Sequence, residues 1–265
     1  MKIATWNVNS LKVRLPQVLE WLKRQPVDVL MLQETKLADE VFPFAAFAAA
    51  GYHAVHNGQK TYNGVALVAR HPLREVVRDL PGFPDAQKRA IAATLDTPAG
   101  PLRLLSLYIV NGEAVGSEKF AYKLRFLDAL REYLRTELAR YPLLAAGGDY
   151  NIAPEDRDVH DPELWRERVL CSTEERQRFH ALLALGLKDC FRQFEQPEKS
   201  YTWWDYRQAA FRRGMGLRID HVLASIPLAS RCTACTIDVE PRRADRPSDH
   251  VPVIARFALS GTGEA

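Results

Sequence analysis

Residues 143–154 read LLAAGGDYNIAP. The apolar run 143–146 has the length and character of a buried strand. The glycine pair Gly147-Gly148 reads as a tight turn, and a carboxylate and an amide, Asp149 and Asn151, follow at once. The same arrangement recurs through the chain. A strand at 3–8 carries Asn7 and is followed by Asn9, and a strand at 27–33 runs into Glu34. The strand at 102–109 carries Tyr108 near its end, with Asn111 just beyond. Asp220 lies inside the apolar run 219–224, and Asp249-His250 precedes the run 253–257. Taken singly, an acid after a strand is most simply a turn or cap residue. Asp220 differs, because a carboxylate among apolar neighbours is costly unless it is paired. Several such groups at the C-terminal sides of strands predict convergence on one sheet edge.

Helical spacing separates these strands. Val18, Leu19 and Leu22 mark one face of a helix that Pro16 can begin. Phe120, Leu124, Leu127, Leu134 and Leu138 mark a second, starting near Ser117 and stopped by Pro142. Ser172 and Glu175 form a capping box before a third, which carries Phe179, Leu182 and Leu183. Asn63-Gly64 predicts a turn before a strand at 65–69. Pro98, Gly100 and Pro101 separate strands at 90–95 and 102–109, and a further strand is expected at 236–239. The mixture predicts one α/β domain over 1–258 with a frayed tail at 259–265, and is compatible with one sheet or two.

Composition narrows the class. The 265 residues are 47% hydrophobic and 26% charged, which excludes a disordered, collagen-like or disulfide-scaffold chain. No apolar run approaches the roughly 18 residues of a membrane span. The nearest, 42–50, is interrupted by Pro43. The N-terminus lacks the apolar segment of a secretory signal, so a cytoplasmic protein is expected. The formal charge of +3 permits nucleic-acid binding without demanding it. Cys232 and Cys235 form a CxxC, but no second pair supplies a zinc ligand set, and two small residues of a strand or loop are the simpler reading.

In order along residues 1–257, the segments TWNVNSL, LQETK, LYIVNG, GGDYNIAP, YTWWDYR, GLRIDHVLAS and RPSDHVPV occur. As an ordered set they resemble the exonuclease III-type apurinic/apyrimidinic endonucleases of the endonuclease/exonuclease/phosphatase superfamily. NIAPEDRDVHDPELW and VLCSTEER are similar to the bacterial branch. Val110 and Tyr150 depart from the commoner residues at their positions. The resemblance implies a four-layered α/β sandwich, two packed mixed β-sheets flanked by helices. It implies Mg²⁺-dependent hydrolysis 5′ to abasic sites and removal of 3′ blocking groups, with 3′–5′ exonuclease activity on duplex DNA as a further expectation. A superfamily phosphatase acting on a small phosphoester or lipid is the alternative enzyme. A DNA- or RNA-binding protein that kept the fold but lost catalysis would lack Glu34, Asp149, Asp220 or His250, and all four are present.

An anionic phosphodiester needs its charge neutralised before water attacks, and a hard divalent cation held by oxygen ligands does this. Glu34 with Asn7 is the first-choice Mg²⁺ site, with Mn²⁺ as a substitute. The resemblance adds Asp149, Asn151 and Asp249, with His250 beside them, and leaves open one ion or two. It also makes Asp149 the base that activates water. Asn151 is expected to donate to the phosphate oxygen, Tyr108 to donate or position, and His250 to point at the phosphate, oriented by Asp220. His221 is expected to face the other side of its strand. Between Lys199 and Asp220, Lys199, Arg207, Arg212, Arg213 and Arg218 outnumber Asp205 and Asp220, with Tyr201, Trp203, Trp204, Tyr206 and Phe211 interleaved. That stretch, with Asn111, is the expected DNA contact. The resemblance makes Trp203, Leu217 and Ile219 the walls of a pocket for a baseless sugar. Arg242, Arg243 and Arg246 form a second basic cluster, and Lys119, Lys123 and Arg125 a third. The expected partner is duplex DNA with abasic sites or 3′ ends, bound by a monomer with no membrane attachment.

Overall fold

Short apolar runs that alternate their side chains between two faces need cover on both, and they find it in the computed structural model, which describes residues 1–259. The strands are β1 (Lys2–Asn7), β2 (Val29–Gln33), β3 (His53–Asn57), β4 (Val65–Ala69), β5 (Leu73–Arg78), β6 (Ala90–Thr97) and β7 (Gly100–Tyr108). They continue with β8 (Leu143–Asp149), β9 (Leu187–Asp189), β10 (Trp203–Trp204), β11 (Gly216–Leu217), β12 (Asp220–Ser225), β13 (Cys232–Ile237) and β14 (Val253–Phe257). The α-helices are α1 (Leu11–Arg24), α2 (Phe44–Ala49), α3 (Glu118–Arg140), α4 (Pro162–Trp165), α5 (Thr173–Leu183) and α6 (Ile226–Ala229).

Two six-stranded sheets run in the orders β13-β14-β1-β2-β4-β3 and β5-β6-β7-β8-β12-β9, with β10 and β11 as a separate ribbon. Both sheets are mixed. β1 pairs parallel with β2, and β7 with β8, where α1 and α3 supply the crossovers; the other named pairs are antiparallel. Ile3, Met31 and Leu67 of one sheet meet Ala93, Leu104 and Ala145 of the other in a shared apolar core. The alternate residues face outward. Trp6, Leu30 and Val68 pack under α1 and α2, and Leu105, Leu144 and Leu223 pack under α3 and α5. The result is the expected four-layered sandwich.

Several boundaries differ from the sequence reading for physical reasons. Pro16 lies inside α1 rather than at its start. The helix begins at Leu11 because the amides of Ser10 and Leu11 donate to the Glu34 and Thr35 carbonyls at 2.7 and 3.0 Å, so tertiary contacts set its origin. Gly100 and Pro101 belong to β7, paired with Thr97 and Asp96, which leaves Pro98-Ala99 as the hairpin loop. The glycine pair is not a turn: Gly147, Gly148 and Asp149 are strand residues of β8. A Cβ on Gly148 would lie 2.0 Å from the Leu107 carbonyl oxygen, and one on Gly147 would lie 2.5 Å from Met31 Sδ. Glycine is there because two backbones and two sheets approach closely.

Ser117 caps α3 and Ser172 with Glu175 caps α5, as the sequence indicates. Cys232 and Cys235 are strand residues of β13. Leu259, assigned above to the tail, is buried in the shared core; residues 260–265 of the expected frayed tail lie outside the described residues. No described helix is long and apolar enough to cross a membrane.

Candidate active site

One edge of the sandwich collects the polar residues, but not all at C-terminal strand ends. Asn7, Tyr108 and Asp149 end β1, β7 and β8, and Glu34 follows β2. Asp220 instead begins β12, and His250 precedes β14. β12 is antiparallel to β8, so its start lies at the edge where β8 ends, and Asp220 stands opposite Asp149.

Hydrogen bonds assemble the group. The Asn7 amide nitrogen donates to Glu34 Oε1 at 3.0 Å and to Asp149 Oδ2 at 2.9 Å. Its oxygen accepts from the Asn9 amide. Asn7 therefore bridges the two carboxylates through its amide nitrogen. Asp149 is almost wholly buried and also accepts from the Asn151 backbone amide at 2.9 Å and side chain at 3.2 Å. The other hydrogen of that side-chain amide goes to the Ile109 carbonyl at 2.8 Å. Asn151 thus holds Asp149 and has no N–H free for a phosphate oxygen in this arrangement, contrary to expectation. Asn111 reaches the Asn151 side-chain oxygen at 3.4 Å.

His250 sits between two acids. Nδ1 lies 2.9 Å from Asp220 Oδ2, and Nε2 lies 3.7 Å from Asp149 Oδ2. Burial works against its charge, but Asp220, Asp149 and Asp249 outweigh it and raise the imidazole to about 10. Asp149 rises to about 7 chiefly by burial, against the pull of His250. Tyr108, half-buried beside Glu34 and Asp149, is raised well above the ordinary phenol range, first by burial and then by those acids.

Glu34, Asp149 and His250 bring ligand atoms within 4.8 Å of one another, a group that can hold a metal ion. Of the three, Glu34 and Asp149 offer the oxygen atoms that a hard cation prefers. Asp249 stands aside. Its Oδ2 accepts from Trp203 Nε1 at 3.0 Å and its Oδ1 from Asn9 at 2.9 Å.

The predicted DNA-contact residues divide. Arg207, Arg212 and Arg213 are exposed, Arg207 in a bidentate pair with Asp205. Arg218, counted above in the basic stretch, is buried with Asp158 and Asp189, and Lys123 is wholly buried against Glu175. Arg242 is half-buried over the Tyr206 and Phe211 rings, whereas Arg243 and Arg246 are exposed. Leu217 and Ile219, expected as pocket walls, are 0% and 1% exposed. They pack with Val159, Leu170 and Cys171 in a closed cluster, and only Trp203 of the expected wall reaches solvent. Leu170 holds φ at 77°, a left-handed backbone that a leucine adopts at a cost. His221 faces away from the site, as expected. Its ring lies 3.0 Å from Arg218 and 2.9 Å from the Ile152 carbonyl.

Sequence reading missed three contributors. Lys36 lies 3.1 Å from Glu34. Arg89 stacks on Tyr108 with its guanidinium 4.8 Å from the ring centre. Thr202 Oγ1 accepts from the Asp220 amide at 3.1 Å. Lys36 follows LQET directly and Thr202 lies within YTWW, so both were in view without a partner to name. Arg89 carries no local signal.

A buried Asp–His pair thus stands beside two carboxylates on the joined edges of a two-sheet sandwich, in a group that can hold a metal ion. The sequence profile of the Endonuclease/Exonuclease/phosphatase family matches residues 4–250, and the chain belongs to that family. It is 38% identical to exodeoxyribonuclease III of Haemophilus influenzae, over 97% of this chain and 100% of that protein. A 3′ phosphatase from Neisseria, solved bound to a product DNA hairpin, superposes with TM-score 0.94 at 50% identity, covering 97% of this chain and 99% of the other. An AP endonuclease from Archaeoglobus fulgidus gives TM-score 0.92 at 39% identity, with coverages of 98% and 100%.

Proposed function

We propose that this chain is a DNA repair nuclease dependent on a divalent cation, Mg²⁺ with Mn²⁺ as a substitute. It removes 3′ blocking groups and hydrolyses backbone phosphodiesters 5′ to abasic sites, leaving a 3′-hydroxyl. The observation that carries this reading is the meeting of Glu34, Asp149 and the Asp220–His250 pair at one edge. Glu34 and Asp149 are the residues that would hold the cation, which when bound neutralises phosphate charge. Asp149, fixed by Asn7 and Asn151, takes the proton of the attacking water. His250, kept charged by Asp220, donates to a non-bridging phosphate oxygen as charge builds there. Asn7 and Asn151 fix Asp149, and the exposed Arg212 and Arg213 meet the backbone phosphates.

Leu217 and Ile219 are closed off, but beside them Leu164, Trp165, Trp203, Ala210 and Met215 line an open cavity, the candidate seat of a baseless sugar. The test uses three labelled duplexes: an internal abasic site, a nick with a 3′-phosphate, and a recessed 3′-hydroxyl. Each is incubated with Mg²⁺ or with EDTA. Cation-dependent release of the 3′-phosphate and incision at the abasic site support the reading. Turnover of free phosphoesters with no action on any duplex contradicts it and supports the phosphatase alternative.

A further inference from the structure

Lys123 belongs to α3, points inward, and is completely buried. Its ammonium has three hydrogens and the structure supplies three acceptors. They are the Asn111 carbonyl at 3.0 Å, the Asn151 carbonyl at 2.6 Å, and Glu175 Oε1. Glu175, also fully buried, is saturated in turn. Oε1 accepts from the Leu170 amide at 3.0 Å, and Oε2 from the Ser172 amide and hydroxyl at 3.1 and 2.5 Å. Gly112 clears the way for the lysine stem: a Cβ there would lie 3.3 Å from Lys123 Cδ, and its φ of 100° suits glycine.

Burial draws Lys123 below the ordinary lysine range, against the pull of Glu175. An ion pair out of water is a poor route to stability, since well-packed apolar residues do as well or better. What this pair offers is position. The two carbonyls it holds belong to the two asparagines that face the site. Asn151, at φ 50°, holds Asp149 through its backbone amide and its side chain. A shift of the Asn151 carbonyl therefore moves the carboxylate.

We infer that Lys123, paired with Glu175, is a positioning residue of the reaction, fixing the loops after β7 and β8 so that Asn111 and Asn151 hold Asp149 in register with His250. The inference rests on the nuclease reading. Its test compares Lys123→Met/Glu175→Gln, Glu175→Gln and Arg103→Met/Glu137→Gln with wild type. The last pair is a second buried ion pair, between β7 and α3, whose contacts lie outside the site. Each protein is assayed on the 3′-phosphate duplex at a temperature where it is folded, with its melting temperature recorded.

Lys123→Met/Glu175→Gln is expected to lose kcat by about 10- to 100-fold with KM within about threefold, the scale of a displaced catalytic group. Glu175→Gln takes away the lysine's buried counter-ion and should lose part of that kcat. Arg103→Met/Glu137→Gln leaves the site alone and should hold kcat within about threefold whatever its melting temperature, because changes away from the reacting groups act through stability. If the first double variant does not fold, Lys123→Gln, which buries no cation and reaches less far, must show the same fall in kcat without a rise in KM. Wild-type kcat in the Lys123 variants, or a loss that tracks melting temperature across all of them, overturns the inference. A wild-type protein inactive on every duplex overturns the functional reading, and the positioning role with it.

Discussion

The Asp220–His250 contact is where the chemistry of this site is most constrained. A buried carboxylate at the start of β12 needs a partner, and His250 supplies it at 2.9 Å. Asp149 and Asp249 add to its pull, and together the three acids raise the imidazole to about 10 against the cost of burial. His250 therefore keeps its proton through neutral pH and loses it only well into the alkaline range. Asp220→Asn removes the largest of these attractions, so the imidazole pKa falls. The alkaline limb of the pH–rate profile should then move to lower pH, and turnover should drop. Combined with His250→Asn, the losses should be strongly non-additive, because either change disables the pair. A double variant whose loss is the product of the single losses would make Asp220 a structural residue only.

At the scale of elements, the strand β8 sets how closely the site is built. Its glycines let Asp149 stand at the end of a strand that packs against Leu107 on one side and Met31 on the other. Gly148→Ala meets backbone, which cannot give way, whereas Gly147→Ala meets the end of a flexible methionine. Urea unfolding should show Gly148→Ala destabilised by about 3 kcal/mol or more and Gly147→Ala by about 1–2 kcal/mol, the range of overpacked cores. Equal costs, or none for Gly148→Ala, would mean that β8 does not approach β7 as described. This element also shows why part of the site was misread. A Gly-Gly pair before an acid is ordinary turn punctuation in a lone sequence. The contacts that make it strand come from Leu107 and Met31, far away along the chain.

Across the whole molecule, the strands were legible because their apolar runs are short and bounded, and α3 and α5 because Ser117 and Ser172 cap them. The split into two sheets was not legible from pattern and came only from resemblance, since a buried strand reads the same in either arrangement. Glu34, Asp149 and Asp220 could be picked out because acids beside or within apolar runs are conspicuous, and His250 because it follows Asp249 just before the last apolar run within a motif that the resemblance covers. Lys123 and Arg218 were assigned to the surface because a basic residue near other basic residues looks solvated. Their partners, Glu175 and Asp158, are 52 and 60 residues away.

The proposed DNA contacts are the exposed arginines after β10 and the Trp203 edge. Arg212→Ala with Arg213→Ala should lower the slope of log affinity against log salt by up to about two, since each arginine taken off a phosphate removes about one released counterion. Trp203→Ala should leave that slope nearly unchanged while reducing discrimination among the three duplexes. An unchanged slope in the arginine variant would move the backbone contact elsewhere, with Arg243 and Arg246 next in line.

In the proposed function, the carboxylate held between Asn7, Asn151 and His250 drives hydrolysis of DNA. Asp149→Asn tests it by exchanging a single carboxylate oxygen for an amide nitrogen, assayed on the 3′-phosphate duplex by single-turnover rate and by DNA anisotropy. A rate loss of at least about 10²-fold is expected, the scale of a lost general base, with DNA affinity within about threefold of wild type. A variant that turns over within a few-fold of wild type at the same affinity would contradict it.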